Sequence, residues 1–312
     1  MHRIGMAALR TPGLGKILGR LFPQAAPHLL WSLAAARKAK EIAPEVVEAP
    51  EHGGDGFFWS LRQGSRLVIK LHGPMALCDR HNGQQLRPRD LRLLSWLERT
   101  SVRRAGRVVS LNRYLGELGM RGWRLQKEPE VVPCPVDVER YRPADSPGSG
   151  GNGRSGTILF VGRLEERKGI DVLLRAFREV APKYTGWNLR LVGAGERCVW
   201  TGKGKLGENG NIEMVGRLEG AELDQAYRQA DVVVVPSRWE NSPAVCLEAM
   251  AQGCALVASR CGGIPEMVSD GVEGILVEPG SATELASALQ RLMESPALRA
   301  EMGLAGRARA EA

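Results

Sequence analysis

Four clusters in this 312-residue chain combine residue types that can do chemistry. The densest opens at Val161-Gly162-Arg163-Leu164 and continues to Lys168-Gly169. Gly162 lets a ligand approach the main chain closely. Arg163 presents a planar fork of donors to phosphate oxygens, and Lys168 presents a point charge. Two cations on one loop are what a diphosphate leaving group requires. Glu165 and Glu166 stand between them, so a surface loop that neutralises its own cations has the same composition, and this loop alone does not separate the two readings.

The second cluster is Glu240-Asn241-Ser242-Pro243, leading into a helical pattern over Ala244–Gln252. Ser242 suits an N-cap and Pro243 the first helical position. The amides of Ala244 and Val245 are then left without helical partners and, with the helix dipole, offer an anion site. Glu248 falls inside the helix. A carboxylate there accepts from ribose hydroxyls and repels phosphate, so Glu248 is expected to face the sugar of a nucleotide. A helix with ordinary surface acids is the plainer alternative, but Ala249-Met250-Ala251 points to burial, and a buried unpaired acid is costly. The third cluster, Cys261-Gly262-Gly263-Ile264-Pro265-Glu266, reads mainly as a structural turn. The fourth is His72, followed by Gly73-Pro74. It can bond a sugar hydroxyl or a phosphate, though a lone histidine is more often structural. His2, His28, His52 and His81 belong to no evident constellation. Gly193-x-Gly195 is too short for a dinucleotide fingerprint, which argues against a dehydrogenase.

The elements that must position these clusters follow from hydrophobic spacing. Strands are expected at Ile158–Val161, Leu189–Val192, Ile212–Val215, Asp231–Val235 and Ala255–Ala258. Helices fall at Ile170–Val180, Glu222–Ala230, Ala244–Gln252 and around Leu285–Met293. Four consecutive valines at 232–235 mark a strand buried on both faces. Strands alternating with helices imply a parallel sheet, which takes ligands at the carboxyl ends of its strands. All four clusters follow strands. The first half repeats the pattern with fewer strands: Arg66–Leu71, Arg107–Leu111 and Glu130–Val132, with helices at Leu91–Arg104 and Asn112–Leu118. Between the halves, residues 144–156 read ADSPGSGGNGRSG, a composition that cannot pack. Two domains are therefore expected, 1–143 and 157–312, with 144–156 as a linker.

Composition narrows the class. With 43% apolar and 25% charged residues the chain can bury a sizeable core. No apolar run is long enough for a membrane span, and no secretory signal opens the chain. The six cysteines form no C-x-x-C pair, so reduced thiols and a cytoplasmic setting are expected. The net charge of +8 arises in the first half, where residues 1–40 carry basic side chains and no acid. That fits either an anionic membrane surface or a solvated basic face. No aromatic–basic interleaving points to nucleic acid.

These motifs, in this order, resemble the family 4 glycosyltransferases, a retaining family of the GT-B class. The segments that carry the resemblance are FVGRLEERKGIDVLLRAF, LRLVGAGE, DVVVVPSRWENSPAVCLEAMAQGCALVAS and CGGIPEMVSDGVEGILVEP, with the E-x7-E pair Glu240 and Glu248 the most specific sign. Weaker matches cover Glu48-Ala49-Pro50-Glu51, His72-Gly73 and VPCPVDVERYRP. The resemblance implies two Rossmann-like domains facing across a cleft. It implies a hexosyltransferase type of activity, in which a nucleotide-diphosphate sugar, UDP- or GDP-linked, donates to a hydroxyl acceptor. Arg163 and Lys168 would bind the diphosphate with Gly162 beside them. Glu248 would bind the ribose. Glu240 would sit near the donor sugar, helped by amides around Ser242, Ala244 and Val245. His72 would serve near the sugar and phosphate. No metal or other cofactor is expected. A lipid-linked or polysaccharide acceptor in cell-envelope synthesis, with peripheral membrane contact through the basic first half, fits this picture. The family's opening strand and Gly-rich loop are not seen, and its final crossing helix is missing, so the first domain is expected to be incomplete and the chain truncated at both ends. A nucleotide-sugar 2-epimerase and a catalytically impaired nucleotide-sugar-binding fragment remain as alternatives.

Overall fold

The structure, a computed structural model, describes residues 14–83, 85–143, 155–195 and 211–312. The chain divides into two units at Pro133/Cys134.

In the second unit the strands are β5 (Ser155–Val161), β6 (Gly186–Val192), β7 (Ile212–Gly216), β8 (Val232–Val235), β9 (Ala255–Ser259) and β10 (Gly274–Val277); the numbering runs on from the first unit's β1 to β4. They form one sheet in the order β10-β9-β8-β5-β6-β7, parallel at every pairing. The helices are α7 (Ile170–Val180), α8 (Ala221–Arg228), α9 (Ala244–Ala251), α10 (Ile264–Met267), α11 (Ala282–Glu294) and α12 (Pro296–Glu311). Side chains alternate across the sheet as the two-residue strand period demands. Ile158, Phe160, Val232, Val234 and Val257 enter one core with the apolar sides of α7 and α11. Leu159, Val233, Val235 and Leu256 enter the other with Tyr227 of α8 and Met250 of α9. All four valines of β8 are buried, as their position between β5 and β9 requires.

Three elements of this unit escaped the sequence reading. One is α10, a four-residue helix inside a segment that reads as a turn. Another is β10, a four-residue apolar stretch too short to tell from a loop. The third is α12, where Ser295 caps the start by accepting from the Leu298 amide (3.2 Å) and Pro296 occupies the first turn. Arg299 on α12 is buried, donates to the Leu292 carbonyl (2.5 Å) and lies over the ring of fully buried Trp187 at 5.2 Å.

The first unit has α1 (Leu14–Leu21), α2 (Ala26–Ile42), β1 (Val47–Pro50), α3 (Phe57–Gln63), β2 (Leu67–Leu71), α4 (Met75–His81), α5 (Pro88–Arg104), β3 (Arg107–Ser110), α6 (Arg113–Trp123) and β4 (Glu130–Val131). Its parallel sheet runs β1-β2-β3-β4. In β2 the residues alternate strictly, with Leu67, Ile69 and Leu71 fully buried. They pack with Trp59, Val102, Leu115 and Trp123. The helices before β1 and β1 itself were not foreseen, because α2 lacks a clean apolar stripe and β1 is only four residues long.

The division between units falls ahead of the expected linker. Val136, Val138 and Tyr141 pack into the second unit's core, and Arg307 of α12 donates to the carbonyls of Val138 (3.1 Å) and Tyr141 (2.7 Å). Residues 144–154 of the Gly/Ser/Pro stretch lie outside the described residues, as does Cys198, and 155–156 begin β5. Composition locates a stretch that cannot pack, whereas the boundary depends on which core the neighbouring apolar side chains enter.

Phe177 on α7 is wholly buried, so Phe177→Ala is expected to lower the second unit's stability to denaturant by about 3–5 kcal/mol. Leu304→Ala on the exposed face of α12 (74% exposed) should change it by less than about 0.5 kcal/mol in the same measurement.

Candidate active site

The strand order of the second unit reverses at β5: β6 and β7 are added on one side, and the chain then returns to lay β8 on the other. In an open parallel sheet, the loops leaving the two strands at such a reversal diverge and open a crevice at the carboxyl edge. Here those loops are Gly162–Lys168, after β5, and Pro236–Pro243, after β8.

The two loops are joined closely. Gly169 closes the first at φ +67°, and a Cβ there would run into the Pro236 carbonyl, so this turn requires glycine. The Arg238 amide donates to the Arg167 carbonyl (2.8 Å), and the Arg238 guanidinium grips both oxygens of Asp171 (2.7 Å each). Glu240, only 6% exposed, is the centre of the junction. Its Oε1 accepts from Lys168 Nζ (2.5 Å) and Ser237 Oγ (2.9 Å), and its Oε2 from Arg167 (3.5 Å). Arg167 also donates to the Trp239 carbonyl (3.2 Å) and to Glu165 (2.8 Å). Arg163 reaches Glu165 at 3.1 Å while its side chain stays 67% exposed.

This geometry sorts the sequence expectations. Lys168 and Glu240 are in direct contact, and Arg163 stands on the same loop. Glu165 is shared by Arg163 and Arg167, whereas Lys168 pairs with Glu240, so the loop does not simply neutralise itself. Arg167 was missed. Three cations occur within six residues, and nothing local says which one turns inward. The Cys261-Gly262-Gly263 turn supports Glu240 from behind. Gly262 lies at φ +54° against the Glu240 carbonyl, leaving no room for a Cβ, and the Gly263 amide donates to that carbonyl (3.3 Å).

At the start of α9 the expected cap differs. Pro243, not Ser242, is the N-cap, and the Ser242 hydroxyl turns to Met267 Sδ (3.8 Å). An extended Pro243 ends the loop one residue later than the hydroxyl rule suggests. No side chain caps the helix, and Ala244 and Val245 begin it with exposed and half-buried positions.

Glu248, on the same helix, is held by two tyrosines. Tyr141 donates to Oε1 (3.0 Å) and Tyr227 to Oε2 (2.6 Å). Burial, and then the facing carboxylate, push Tyr141 up to about 12 and Tyr227 well above the usual phenol range, so both remain donors. A carboxylate oxygen has two lone-pair directions, leaving each oxygen of Glu248 one for a further donor. Neither tyrosine was foreseen, since they lie 107 and 21 residues from Glu248.

His72 belongs to the first unit, at the carboxyl end of β2, and is exposed. It has company that the sequence did not show. His52 Nδ1 lies 3.1 Å from the Gly73 carbonyl, and the His28 and His52 rings meet edge to face at 6.5 Å. Partial desolvation of the ring, then Lys70 and His52, hold His72 below the usual imidazole range. Behind this edge lie two buried acids. Glu51 accepts from the amides of His72 (2.7 Å) and Gly73 (2.5 Å), and Glu98 of α5 accepts from those of Gly53 and Met75 (3.0 Å each). Glu51 appeared in the sequence only within the weak match Glu48-Ala49-Pro50-Glu51, with no role attached. Glu98, amid the arginines of α5, gave none.

Burial pushes Glu98 up to about 8 from 4.5, with Glu51 adding to the rise. The folded state therefore keeps a proton that the unfolded chain gives up. This contribution to stability is full below pH 4.5, declines as pH rises from there to about 8, and is absent above. Glu98→Gln is expected to flatten that decline when unfolding midpoints of the first unit are measured across this range.

Comparison with known proteins agrees with this architecture. Residues 142–309 match the family model described as Glycosyl transferases group 1, and residues 6–140 match Glycosyltransferase Family 4. The D-inositol 3-phosphate glycosyltransferase of Segniliparus rotundus is 34% identical over 191 residues, covering 58% of this chain and 42% of that protein. A GDP-mannose-dependent monoacylated alpha-(1-6)-phosphatidylinositol monomannoside mannosyltransferase of Corynebacterium glutamicum is 30% identical over 232 residues, covering 69% of this chain and 61% of that one. The chain thus spans less than two thirds of the length of these relatives. Among solved structures, sucrose-phosphate synthase from Thermosynechococcus elongatus superposes with a TM-score of 0.75 at 23% identity over 95% of this chain and 74% of its own. HepE of Anabaena, in complex with UDP, gives 0.73 at 20% identity over 95% and 79%. Both share its fold, that of the GT-B glycosyltransferases. The chain belongs to the group 1 glycosyl transferase family.

Proposed function

We propose that this chain carries the donor-binding part of a retaining glycosyltransferase that moves a sugar from a UDP- or GDP-sugar to a hydroxyl acceptor. The observation that carries this reading is the junction at the strand-order reversal, where Arg167 and Lys168 pair with Glu240 and Arg163, paired with Glu165, stands exposed on the same loop. As the bond from the sugar to the diphosphate breaks, negative charge grows on the leaving phosphate. Fixed cations there stabilise the transition state more than the ground state. They take the part that a divalent ion takes elsewhere, and the proposal needs no metal or other cofactor. The first amides of α9, at Ala244 and Val245 next to Ser242, add donors to the same anion. Glu248, with one lone pair free on each oxygen, suits the two neighbouring hydroxyls of a ribose. Glu240, supported through its main chain and tied to Lys168, couples the diphosphate contact to the sugar side. The family resemblance supports a role for His72 near the transferred sugar. The acceptor oxygen bonds to the sugar on the face that the diphosphate leaves, and its proton passes to the departing phosphate oxygen.

The relatives' names support a phosphorylated polyol or lipid-linked acceptor, and GDP-mannose and UDP among them support either base. Among the described residues no helix is long and apolar enough to cross a membrane. The free thiols of Cys78, Cys134, Cys246, Cys254 and Cys261 and the basic first half support a cytoplasmic reaction at the membrane face, as part of cell-envelope polysaccharide or glycolipid synthesis.

Glu248→Ala is expected to weaken nucleotide-sugar binding roughly 10–100-fold, the loss of hydrogen bonds to a charged group. Lys168→Ala should instead lower kcat, with the smaller effect on KM. Steady-state kinetics of both variants check this, and undiminished turnover in both would remove the assignment. A panel of UDP-, GDP- and ADP-sugars should yield at least one that raises the melting temperature, by mass action equivalent to about 2.7 kcal/mol at 100-fold excess over Kd. If none does, the donor-site reading fails.

A further inference from the structure

The turn after β2 has the composition of an anion cradle: His72-Gly73-Pro74-Met75 at the start of a helix, with Gly73 at φ +135°. Its main-chain donors can be counted completely. The His72 amide goes to Glu51 Oε2 and the Gly73 amide to Glu51 Oε1. Pro74 has none. The Met75 amide goes to Glu98 Oε1, which also takes the Gly53 amide from the turn after β1. Every donor from His72 through Met75 is therefore spent on a carboxyl group from inside the unit. Glu51 is 0% and Glu98 1% exposed. The acids use their oxygens differently. Glu51 uses both as acceptors, whereas Glu98 uses one for two amides and leaves Oε2 buried without a partner among the described residues.

We propose that Glu51 and Glu98 form an internal clasp that occupies the main-chain donors of the His72–Met75 turn, so that the turn offers a ligand only the His72 imidazole and excludes phosphate from its backbone. Both are positioning residues. Glu51 fixes the peptide units on either side of His72, and Glu98 ties the turn after β1 to the turn after β2. The catalytic consequence rests on the transferase reading of His72; the clasp itself does not. With these amides already bonded to carboxyl oxygens, an anion finds no free main-chain donor in the turn, and the imidazole is left to meet an uncharged hydroxyl. The asymmetry of the acids gives the clasp a signature that burial alone would not produce. Replacing Glu by Gln keeps one acceptor oxygen and swaps the other for an N–H2 group. At Glu98 that swap falls on the unpartnered oxygen and costs no bond to an amide. At Glu51 it sets a donor against a donor.

Amide hydrogen exchange followed by NMR on the full chain tests this. In Glu51→Gln the His72 and Gly73 amides should exchange roughly 10-fold faster or more, in line with loss of a bond to a charged acceptor, and the His72 imidazole resonances should shift. In Glu98→Gln the Gly53 and Met75 amides should keep their protection and the His72 signals their positions. Equal effects of the two substitutions, or none at Glu51, would overturn the clasp. If Glu51→Gln does not fold, Glu51→Asp retains the charge but withdraws both oxygens by a methylene, and must likewise deprotect His72 and Gly73. Titration with inorganic phosphate should leave the amides of residues 72, 73 and 75 unmoved; a saturable shift there also overturns the proposal. Kinetics separate it from the functional reading. If His72→Ala leaves turnover intact while the exchange pattern holds, the role of His72 falls and the clasp stands. If His72→Ala lowers kcat, Glu51→Gln should lower it too, with KM for the nucleotide sugar unchanged.

Discussion

The bond between Lys168 and Glu240 depends on, and reports, the reversal of strand order in the second unit. A lysine after β5 and a glutamate after β8 stand 72 residues apart in sequence. They meet because β8 returns to pair directly with β5, which brings the two diverging loops to one edge. Around this contact the surroundings supply partners to an acid at 6% exposure: Arg167 on the other oxygen, Ser237 beside it, and glycines at 169 and 262 that let three stretches of main chain close in. A buried charge without such partners costs several kcal/mol. With them, the acid holds the cations of the loop in place while Arg163 remains open to solvent.

The two units partner their acids in contrasting ways. In the second, Glu240 and Glu248 accept from side chains: cations and a serine for one, phenols for the other. In the first, Glu51 and the Oε1 of Glu98 accept from main-chain amides of turns. A side-chain partner leaves the acid's surroundings charged or polar and open to a ligand. A main-chain partner consumes the donors that a ligand would otherwise use. The same residue type therefore gathers side chains on one sheet edge and ties down main chain on the other. Burial outweighs the amide bonds at both acids of the first unit, raising Glu51 and carrying Glu98 up to about 8.

Tyr141 joins the inter-unit segment to the chemistry. Its ring lies in the second unit's core, its hydroxyl holds Glu248, and its carbonyl accepts from Arg307 on the last helix. A residue that the sequence placed in the first domain thus holds the candidate ribose contact of the second unit. This is also why the unit begins at Cys134 and not at the Gly/Ser/Pro stretch.

Much of this protein was legible along the chain. The periodicity of Ile170–Val180 and the valines at 232–235 identified a parallel α/β unit, because burial within one element is written in the spacing of its own residues. The motifs from Gly162 to Lys168 and from Glu240 to Glu248 pointed to a diphosphate and a sugar, because loop composition after a strand is local. What only the tertiary structure decided was the pairing: that Arg167 turns inward and Arg163 outward, that Tyr141 and Tyr227 hold Glu248, that Pro243 caps α9, and that Glu51 and Glu98 close the turn bearing His72. Each of these depends on which strands are neighbours and on which loops their ends bring together. Strand order is set by the packing of whole faces, and no short window of sequence contains it.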